Sequence, residues 1–401
     1  MLRSFHTTAA NAAKTVKNVK PGSKYGKRFN VETKPGEKVW DKLNISKHEF
    51  FIRKYANITP EERKKLDDKV ARQKRLREAR KRHELGDDYD KPRNSPKMAL
   101  NPLSEYLYGT HPVISALTAS KRSAFNRLYI HNPKEHTAKI LQLAKKYGVK
   151  VVEKDTKGEM NMLSSNGVHN GVVLETRPLQ LPLVESLGEQ FDKDTGEYTV
   201  TLVDERTNET YEETHTVTRT AGHNHGKYPF GIFLDGVTDP QNLGNIIRSA
   251  YYLGADFMVV PESDSARLGP VAAKAAAGAL DVLPIYKLDG PMSLVDNVKK
   301  NGWNVVSTSS KLGEDDLNAT KEKHREHLEQ KYIDYADLPG LMSQAPMLMI
   351  FGSEGAGVRT NLKFKSDYLV GLNKGNADSE GLVDSLNVGT AAALLISKCF
   401  E

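Results

Sequence analysis

Three times after residue 230 the sequence runs from an apolar stretch into a polar loop and on into a helical stretch, a pattern that leaves few folds open. Met347 to Phe351, MLMIF, empties into Gly352-Ser353-Glu354-Gly355-Ala356-Gly357. Upstream, Phe233-Leu-Asp-Gly-Val-Thr-Asp-Pro-Gln-Asn-Leu-Gly-Asn-Ile-Ile-Arg248 is again a strand, a turn and the start of a helix. Downstream, Asp384-Ser385-Leu386-Asn387-Val388-Gly389 leads into TAAALLIS. Glycines let backbone N–H groups approach a ligand at angles that a Cβ would forbid. Three such loops at strand ends predict an α/β segment with one site at the C-terminal edge of its sheet.

A dinucleotide-binding fold would place G-x-G-x-x-G in its first βα turn. Here the glycine loop comes late and is spaced G-x-x-G-x-G, and no G-K-[ST] follows to make a P-loop. In the first loop Asp239 and Pro240 make a good helix start, an N-cap followed by proline in the first turn. On the helix that follows, Ile246, Ile247, Ala250 and Leu253 share one face and Arg248 projects off it, free for chemistry or for a polyanion.

In order and spacing the three loops resemble the signature motifs of the SpoU–TrmH family of RNA ribose 2′-O-methyltransferases, of the knotted SPOUT class. The resemblance covers residues 230–401 strongly. It extends more weakly upstream, where Tyr108-Gly-Thr-His-Pro-Val-Ile-Ser-Ala-Leu117 and Gly167-Val-His-Asn-Gly-Val172 resemble the ends of a small RNA-binding domain similar to ribosomal protein L30e. It implies a two-domain α/β chain with a C-terminal trefoil knot, S-adenosylmethionine as methyl donor, and a homodimer in which both subunits shape the site. The implied catalytic residues are Arg248, Asn242, Glu354, Ser385 and Asn387, with the cofactor held around Gly352, Leu372 and Leu386. Arg248 matches the residue that activates the ribose hydroxyl. Because arginine stays protonated, orienting the hydroxyl and stabilising its developing charge suits it better than taking the proton. Glu354 is expected to orient Asn242 or Arg248 through a charge-assisted hydrogen bond. Two departures stand out: Gly389 where members commonly have Ser, and Leu372-Asn-Lys374 where they commonly have Ile-Pro-Met. A catalytically inactive RNA-binding or ribosome-assembly factor is the rival reading, against which the five retained polar residues argue.

The net charge of +7 conceals an asymmetry. Residues 1–100 hold 27 Lys and Arg against 13 Asp and Glu, and the remainder 31 against 38. A basic segment of this kind suits nucleic-acid phosphates. Residues 1–31 contain seven basic residues and no acidic one, the composition of a mitochondrial presequence, with a basic RNA-binding tail as the other reading. With that leader, the resemblance points to the fungal-type mitochondrial members, to large-subunit ribosomal RNA as substrate and to a guanosine as the methylated nucleotide; a mitochondrial tRNA is the alternative. The expected compartment is the mitochondrial matrix. The lone cysteine, Cys399, excludes an intramolecular disulfide. No apolar run approaches the about 20 residues of a membrane-spanning helix, so no membrane partner is expected. No metal is expected either, since His223-Asn-His225 lacks further ligands at suitable spacing.

The expected organisation is a presequence over 1–31, a basic extension and linker over 32–103, the L30e-like domain over 104–178, an acidic, threonine-rich insertion over 179–229 and the methyltransferase domain over 230–401. Within the extension, residues 60–85 predict an exposed helix and 86–102 a linker rich in helix breakers. The alternation in Tyr198-Thr-Val-Thr-Leu-Val203 and His215-Thr-Val-Thr218 predicts a β-hairpin or a partly ordered insertion. LNATKEKHREHLEQKY, between about 310 and 340, predicts a second exposed helix.

Overall fold

The computed structural model describes residues 100–133, 136–219, 228–309, 322–375 and 385–401, together with residues 38, 40 and 50. The presequence, the 60–85 helix, the His223/His225 pair and the loop residues 376–384 lie outside the described residues. Met1–Lys97 and Met98–Glu401 are separate compact units, and the described elements belong to the second.

That unit opens with β1 (Glu105–Tyr108), α1 (Thr110–Ala119), β2 (Phe125–Ile130), α2 (Thr137–Lys146), β3 (Lys150–Glu153), α3 (Lys157–Leu163) and β4 (Val172–Thr176), in a four-stranded sheet of order β1-β4-β2-β3. Successive strand residues point to opposite faces, and the sheet uses both. Leu107, Leu128, Val172 and Leu174 share a core with Val113, Ala116, Leu117, Ile140 and Ala144 of α1 and α2. Tyr108, Tyr129 and Val173 cluster with Met160 and Leu163 of the short α3. That helix starts on a full capping box, the Thr156 hydroxyl accepting from the Glu159 amide and the Glu159 carboxylate from the Thr156 amide.

The acidic insertion supplies β5 (Leu183–Asp192), β6 (Glu197–Val203) and β7 (Thr210–Thr216). The expected hairpin is thus three antiparallel strands, and β5 pairs with the large sheet, so the insertion widens that sheet. The rest of the large sheet comes from β8 (Phe230–Asp235), α4 (Pro240–Leu253), β9 (Phe257–Pro261), α5 (Pro270–Ala275), β10 (Ile285–Leu288), α6 (Pro291–Lys300), β11 (Asn304–Thr308), α7 (Glu322–Glu329), α8 (Leu338–Met342), β12 (Met347–Gly352), α9 (Thr360–Lys365), β13 (Tyr368–Val370) and α10 (Val388–Cys399). Its order is β13-β11-β12-β8-β9-β10-β5-β6-β7, parallel from β13 through β10 to β5. Parallel strands covered on both faces need unbroken apolar runs, which is why β8, β9 and β12 are buried along their whole length. No described helix is long and apolar enough to cross a membrane.

A buried ion pair ties the small sheet's segment to the large one's. Arg122, between α1 and β2, donates through Nε to Asp281 at 2.8 Å and through its terminal nitrogen to Glu105 at 2.9 Å. Arg219, at the end of the insertion, pairs with Asp256 and donates to the Gly254 and Tyr228 carbonyls at 3.1 and 2.8 Å; its guanidinium stands 4.8 Å over the Phe400 ring.

Candidate functional site

The order of the large sheet reverses between β8 and β12. The chain steps outward one way through β9 and β10 and returns on the other side through β11. At such a reversal two strands end side by side and their loops diverge, which leaves a crevice. Asp235 at the end of β8 is in register with Gly352 at the end of β12, so the loops carrying Asp239 and Glu354 leave the sheet together.

The β8 loop turns into α4 as the sequence requires. The Asp239 carboxylate caps the helix by accepting from the Gln241 and Asn242 amides at 3.2 Å, with Pro240 next to it in the first turn. Ile246, Ile247 and Ala250 are then buried, Arg248 is exposed, and Asn242 is held in the first turn with 9% of its surface exposed. From there the Asn242 side chain reaches both neighbouring loops. Its Nδ2 donates to Glu354 Oε1 at 2.9 Å, and its Oδ1 accepts from Asn387 Nδ2 at 2.9 Å. Asn387 is in turn the N-cap of α10, its Oδ1 accepting from the Gly389 and Thr390 amides at 2.9 and 3.3 Å.

The direction of this relay is fixed from both ends. Backbone N–H groups can only donate, so Asn387 must present its oxygen to α10 and its amide nitrogen to Asn242. A carboxylate can only accept, so Asn242 must turn its own nitrogen toward Glu354. Three residues far apart in sequence thereby lock one another, and each of the three loops contributes one.

The Glu354 loop is tightly built. The Ser353 amide donates to the Gly357 carbonyl at 3.1 Å and the Gly357 amide to the Ser353 carbonyl at 3.0 Å, while the Ser353 hydroxyl accepts from the Ala356 amide at 3.1 Å. A Cβ on Gly352 would stand 2.0 Å from the backbone of Gly357 and Val358, so the loop closes over a position that only glycine can fill. The buried carboxylate of Asp235 anchors the other end, accepting from the Arg359 amide at 2.8 Å and pairing with its guanidinium at 2.6 Å. Asp235 and Arg359 were not singled out from the sequence. The signal was an acid closing a wholly apolar strand, a position at which a carboxylate needs a partner.

Of the eight residues implicated by sequence, the structure brings together Asn242, Glu354 and Asn387, with Gly352 beneath them. Ser385 and Leu386 immediately precede Asn387 and are exposed. Arg248 lies six positions along α4 from Asn242, about 9 Å up the axis and roughly 120° away in the shorter sense. It stands off the relay, and among the described residues it has no ion pair. Leu372 packs its half-buried side chain on the main core and leaves its backbone to the loop. At Gly389 a Cβ would meet Asn387 Oδ1 at 3.1 Å, a tight fit beside the capping oxygen.

An adenine-bearing cofactor needs apolar walls and peptide groups rather than charged ligands. The stretches at 352–357, 371–374 and 385–387 are non-helical backbone, and Leu386 keeps 51% of its surface exposed beside the relay, an apolar wall ready to be covered. The residues fit such a group. No cluster of three His, Cys, Asp or Glu among the described residues could hold a metal ion.

Residues 229–397 match the SpoU rRNA Methylase family, and residues 106–182 match the RNA 2′-O ribose methyltransferase substrate binding domain. The chain is 34% identical to rRNA methyltransferase 1, mitochondrial, of Saccharomyces cerevisiae, over 97% of this chain and 95% of that protein. It is 31% identical to the protein of the same name from Schizosaccharomyces pombe, over 73% and 88% of the two chains. The 23S rRNA (guanosine-2′-O-)-methyltransferase of Pseudomonas putida is 33% identical over 42% of this chain and 57% of its own. With a near full-length relative above 30% identity and both family regions in place, the chain belongs to the SpoU rRNA methylase family.

Proposed function

We propose that this protein transfers a methyl group from S-adenosylmethionine to the ribose 2′-hydroxyl of a guanosine in mitochondrial large-subunit ribosomal RNA. The observation that carries the reading is the directed relay from α10 through Asn387 and Asn242 to Glu354, which gives the crevice one fixed polar wall. When bound, S-adenosylmethionine supplies an electrophilic methyl group; Gly352, Leu372 and Leu386 would hold it through their backbone groups and the exposed Leu386 side chain.

Methylation of the 2′-oxygen requires its hydroxyl proton to leave, and because Arg248 is always protonated the proton would pass to solvent water. A ribose hydroxyl is a weak acid, so charge building on its oxygen has to be stabilised in the transition state. Arg248 carries a permanent charge and five donors on an exposed helix face; it orients the hydroxyl or its flanking phosphate and stabilises that charge. Ser385, exposed beside Asn387, faces substrate. Because Arg248 stands away from the relay, a homodimer in which both copies shape the site is part of the proposal, and light scattering on the purified protein tests it. The knotted C-terminus belongs to it too: after β13 at the sheet edge the chain returns to pack α10 against α4 at the centre.

The substrate assignment draws on the mitochondrial and guanosine-directed relatives, and the matrix location on the acid-free leader over 1–31. A truncated chain lacking 1–31 should stay in the cytosol. The decisive experiment is methyl transfer from labelled S-adenosylmethionine to mitochondrial large-subunit ribosomal RNA, with the modified ribose mapped by its resistance to alkaline cleavage. One protected guanosine is expected, together with loss of transfer in Arg248→Ala while the fold and cofactor binding persist. Label entering mitochondrial tRNA instead would move the substrate to the alternative, and near-normal single-turnover rates in Arg248→Ala would remove that residue from the mechanism.

A further inference from the structure

Away from the relay, the small sheet holds a second polar site. On the face shared with α3, the sheet extends past that short helix and borders a cavity of about 880 Å³, within the range of about 300–1,000 Å³ for ligand sites. At its floor is Glu175 of β4, with 5% of its surface exposed. The Ser104 hydroxyl donates to Glu175 Oε1 at 3.2 Å and the Tyr129 hydroxyl to Oε2 at 3.0 Å, while Asn126 Nδ2 donates to Ser104 at 3.2 Å. Its orientation is therefore set by three neighbours.

A carboxylate offers about four lone-pair sites. Ser104 and Tyr129 take one on each oxygen, which leaves one on each for a ligand. Around this floor stand Tyr106, half-buried, and the exposed Arg127, Lys150 and Arg177. Arg177 donates to the Leu103 carbonyl at 3.3 Å; among the described residues neither Arg127 nor Lys150 has an ion pair. A fourth cation, Lys154, is spent on Glu159 at 3.1 Å. The cavity thus combines a recessed acceptor pair, an aromatic and a guanidinium face, and a positive rim.

That combination selects among ligands. A positive rim around one recessed carboxylate suits a polyanion that also carries hydrogen-bond donors, and RNA with an unpaired base is such a molecule. Splayed bases are read by stacking on aromatic rings or arginine planes and by hydrogen bonds to their Watson–Crick edges. Only guanine presents two adjacent donors, N1–H and the 2-amino group, on that edge. Adenine and cytosine pair one donor with an acceptor, and uracil flanks its single donor with acceptors. We infer that this cavity binds one unpaired guanosine of the RNA substrate, its base edge on Glu175 and its flanking phosphates on Arg127 and Lys150. The inference rests on the reading that the chain acts on RNA and adds to it a base-reading site outside the methyl-transfer crevice.

The test uses the full chain and fluorescence anisotropy with short single-stranded oligoribonucleotides, one carrying a single guanosine among adenosines and one all adenosine. Comparing the two cancels the background affinity of the basic N-terminal quarter. Wild type should prefer the guanosine oligonucleotide roughly tenfold, the discrimination expected of a good bidentate base contact. Glu175→Gln should abolish that preference, and the exposed pair Arg127→Ala with Lys150→Ala should weaken both oligonucleotides. Absence of the preference in wild type, or its survival in Glu175→Gln, overturns the inference. Should Glu175→Gln fold poorly, the surface double variant decides, because unchanged affinity there also overturns it. Methyl transfer to ribosomal RNA is measured in parallel. Normal transfer without guanosine preference removes this site alone, whereas preference without transfer removes the proposed function and leaves the site standing.

Discussion

Replacing Asn387 in two ways separates its duties. Asn387→Ala deletes the cap on α10, worth about 0.5–2 kcal/mol, and the hydrogen bond to Asn242, worth about 1 kcal/mol net. Roughly 2 kcal/mol of stability and the positioning of Asn242 are lost together. Asn387→Asp does something different. Aspartate still accepts from the Gly389 and Thr390 amides, and its charge at the N-terminus of a twelve-residue helix adds a few tenths of a kcal/mol. It cannot donate. Its second oxygen confronts Asn242 Oδ1 across the 2.9 Å now spanned by a hydrogen bond. If Asn242 rotates its amide to meet the aspartate, it turns an oxygen toward Glu354 and breaks the other joint. Either way one hydrogen bond of the relay is forfeited, about 1–1.5 kcal/mol, which at about 1.4 kcal/mol per factor of ten is on the order of tenfold in rate.

Thermal unfolding followed by circular dichroism, beside single-turnover methyl transfer, checks this. Asn387→Asp should melt between Asn387→Ala and wild type, yet transfer methyl about tenfold more slowly than wild type. Wild-type rates in the aspartate variant would show that the relay does not serve catalysis. Melting as low as the alanine variant would show that the cap is not the main structural duty.

Gly352→Ala should open the Ser353–Gly357 turn, because both atoms that the new Cβ meets at 2.0 Å are backbone; loss of methyl transfer with a lowered melting temperature is expected, and a wild-type profile would refute the packing argument. Arg219→Ala strands the Asp256 carboxylate, whose side chain is only 6% exposed, and should cost roughly 3–5 kcal/mol in urea unfolding. Burial already pushes that carboxyl up to about 6, so the deficit in Arg219→Ala should shrink at pH 5, where the orphaned group is protonated, and widen at pH 8. Cys399 is fully buried and its thiol is pushed up to about 12 by desolvation, so iodoacetamide at pH 8 should label it only after denaturant is added; rapid labelling of the native protein would contradict the placement of the C-terminal helix.

What could be read from the sequence follows the range of the forces involved. Local patterns placed the strand at Met347, the helix start at Asp239 and Pro240, and the exposed side of Arg248, because each depends on residues a few positions apart. The small sheet is built from pieces equally local in sequence, among them the helix over Thr137–Lys146 and the strands at Phe125–Ile130 and Val172–Thr176. The acidic insertion read as a hairpin by alternation alone. Its membership of the large sheet was not legible, since β5 meets β10 across about a hundred residues of sequence and through a single register pair, Lys287 with Leu183. Asp235 and Arg359 were missed because their pairing is 124 residues apart and carries no periodicity. Conversely, Glu354 was expected to orient either Asn242 or Arg248, and it accepts from Asn242: the first turn of α4 faces the β12 loop, while the third carries Arg248 away from it.

The separation of Arg248 from the relay has its own physical logic. A guanidinium close to Glu354 would form an ion pair and so spend on a ground-state partner the charge that methyl transfer needs. Asn242 takes the carboxylate instead. Being neutral, it couples Glu354 to the α10 cap without adding charge, so that two helices and the β12 loop hold still around the crevice. On the proposed mechanism Arg248, exposed and without an ion pair among the described residues, keeps its positive charge for an oxygen that becomes negative only during the reaction. Introducing a carboxylate within reach of Arg248, as Asn245→Asp would on the neighbouring exposed turn, should leave stability almost unchanged and slow methyl transfer by pairing with that charge; the penalty should diminish as salt screens the new pair.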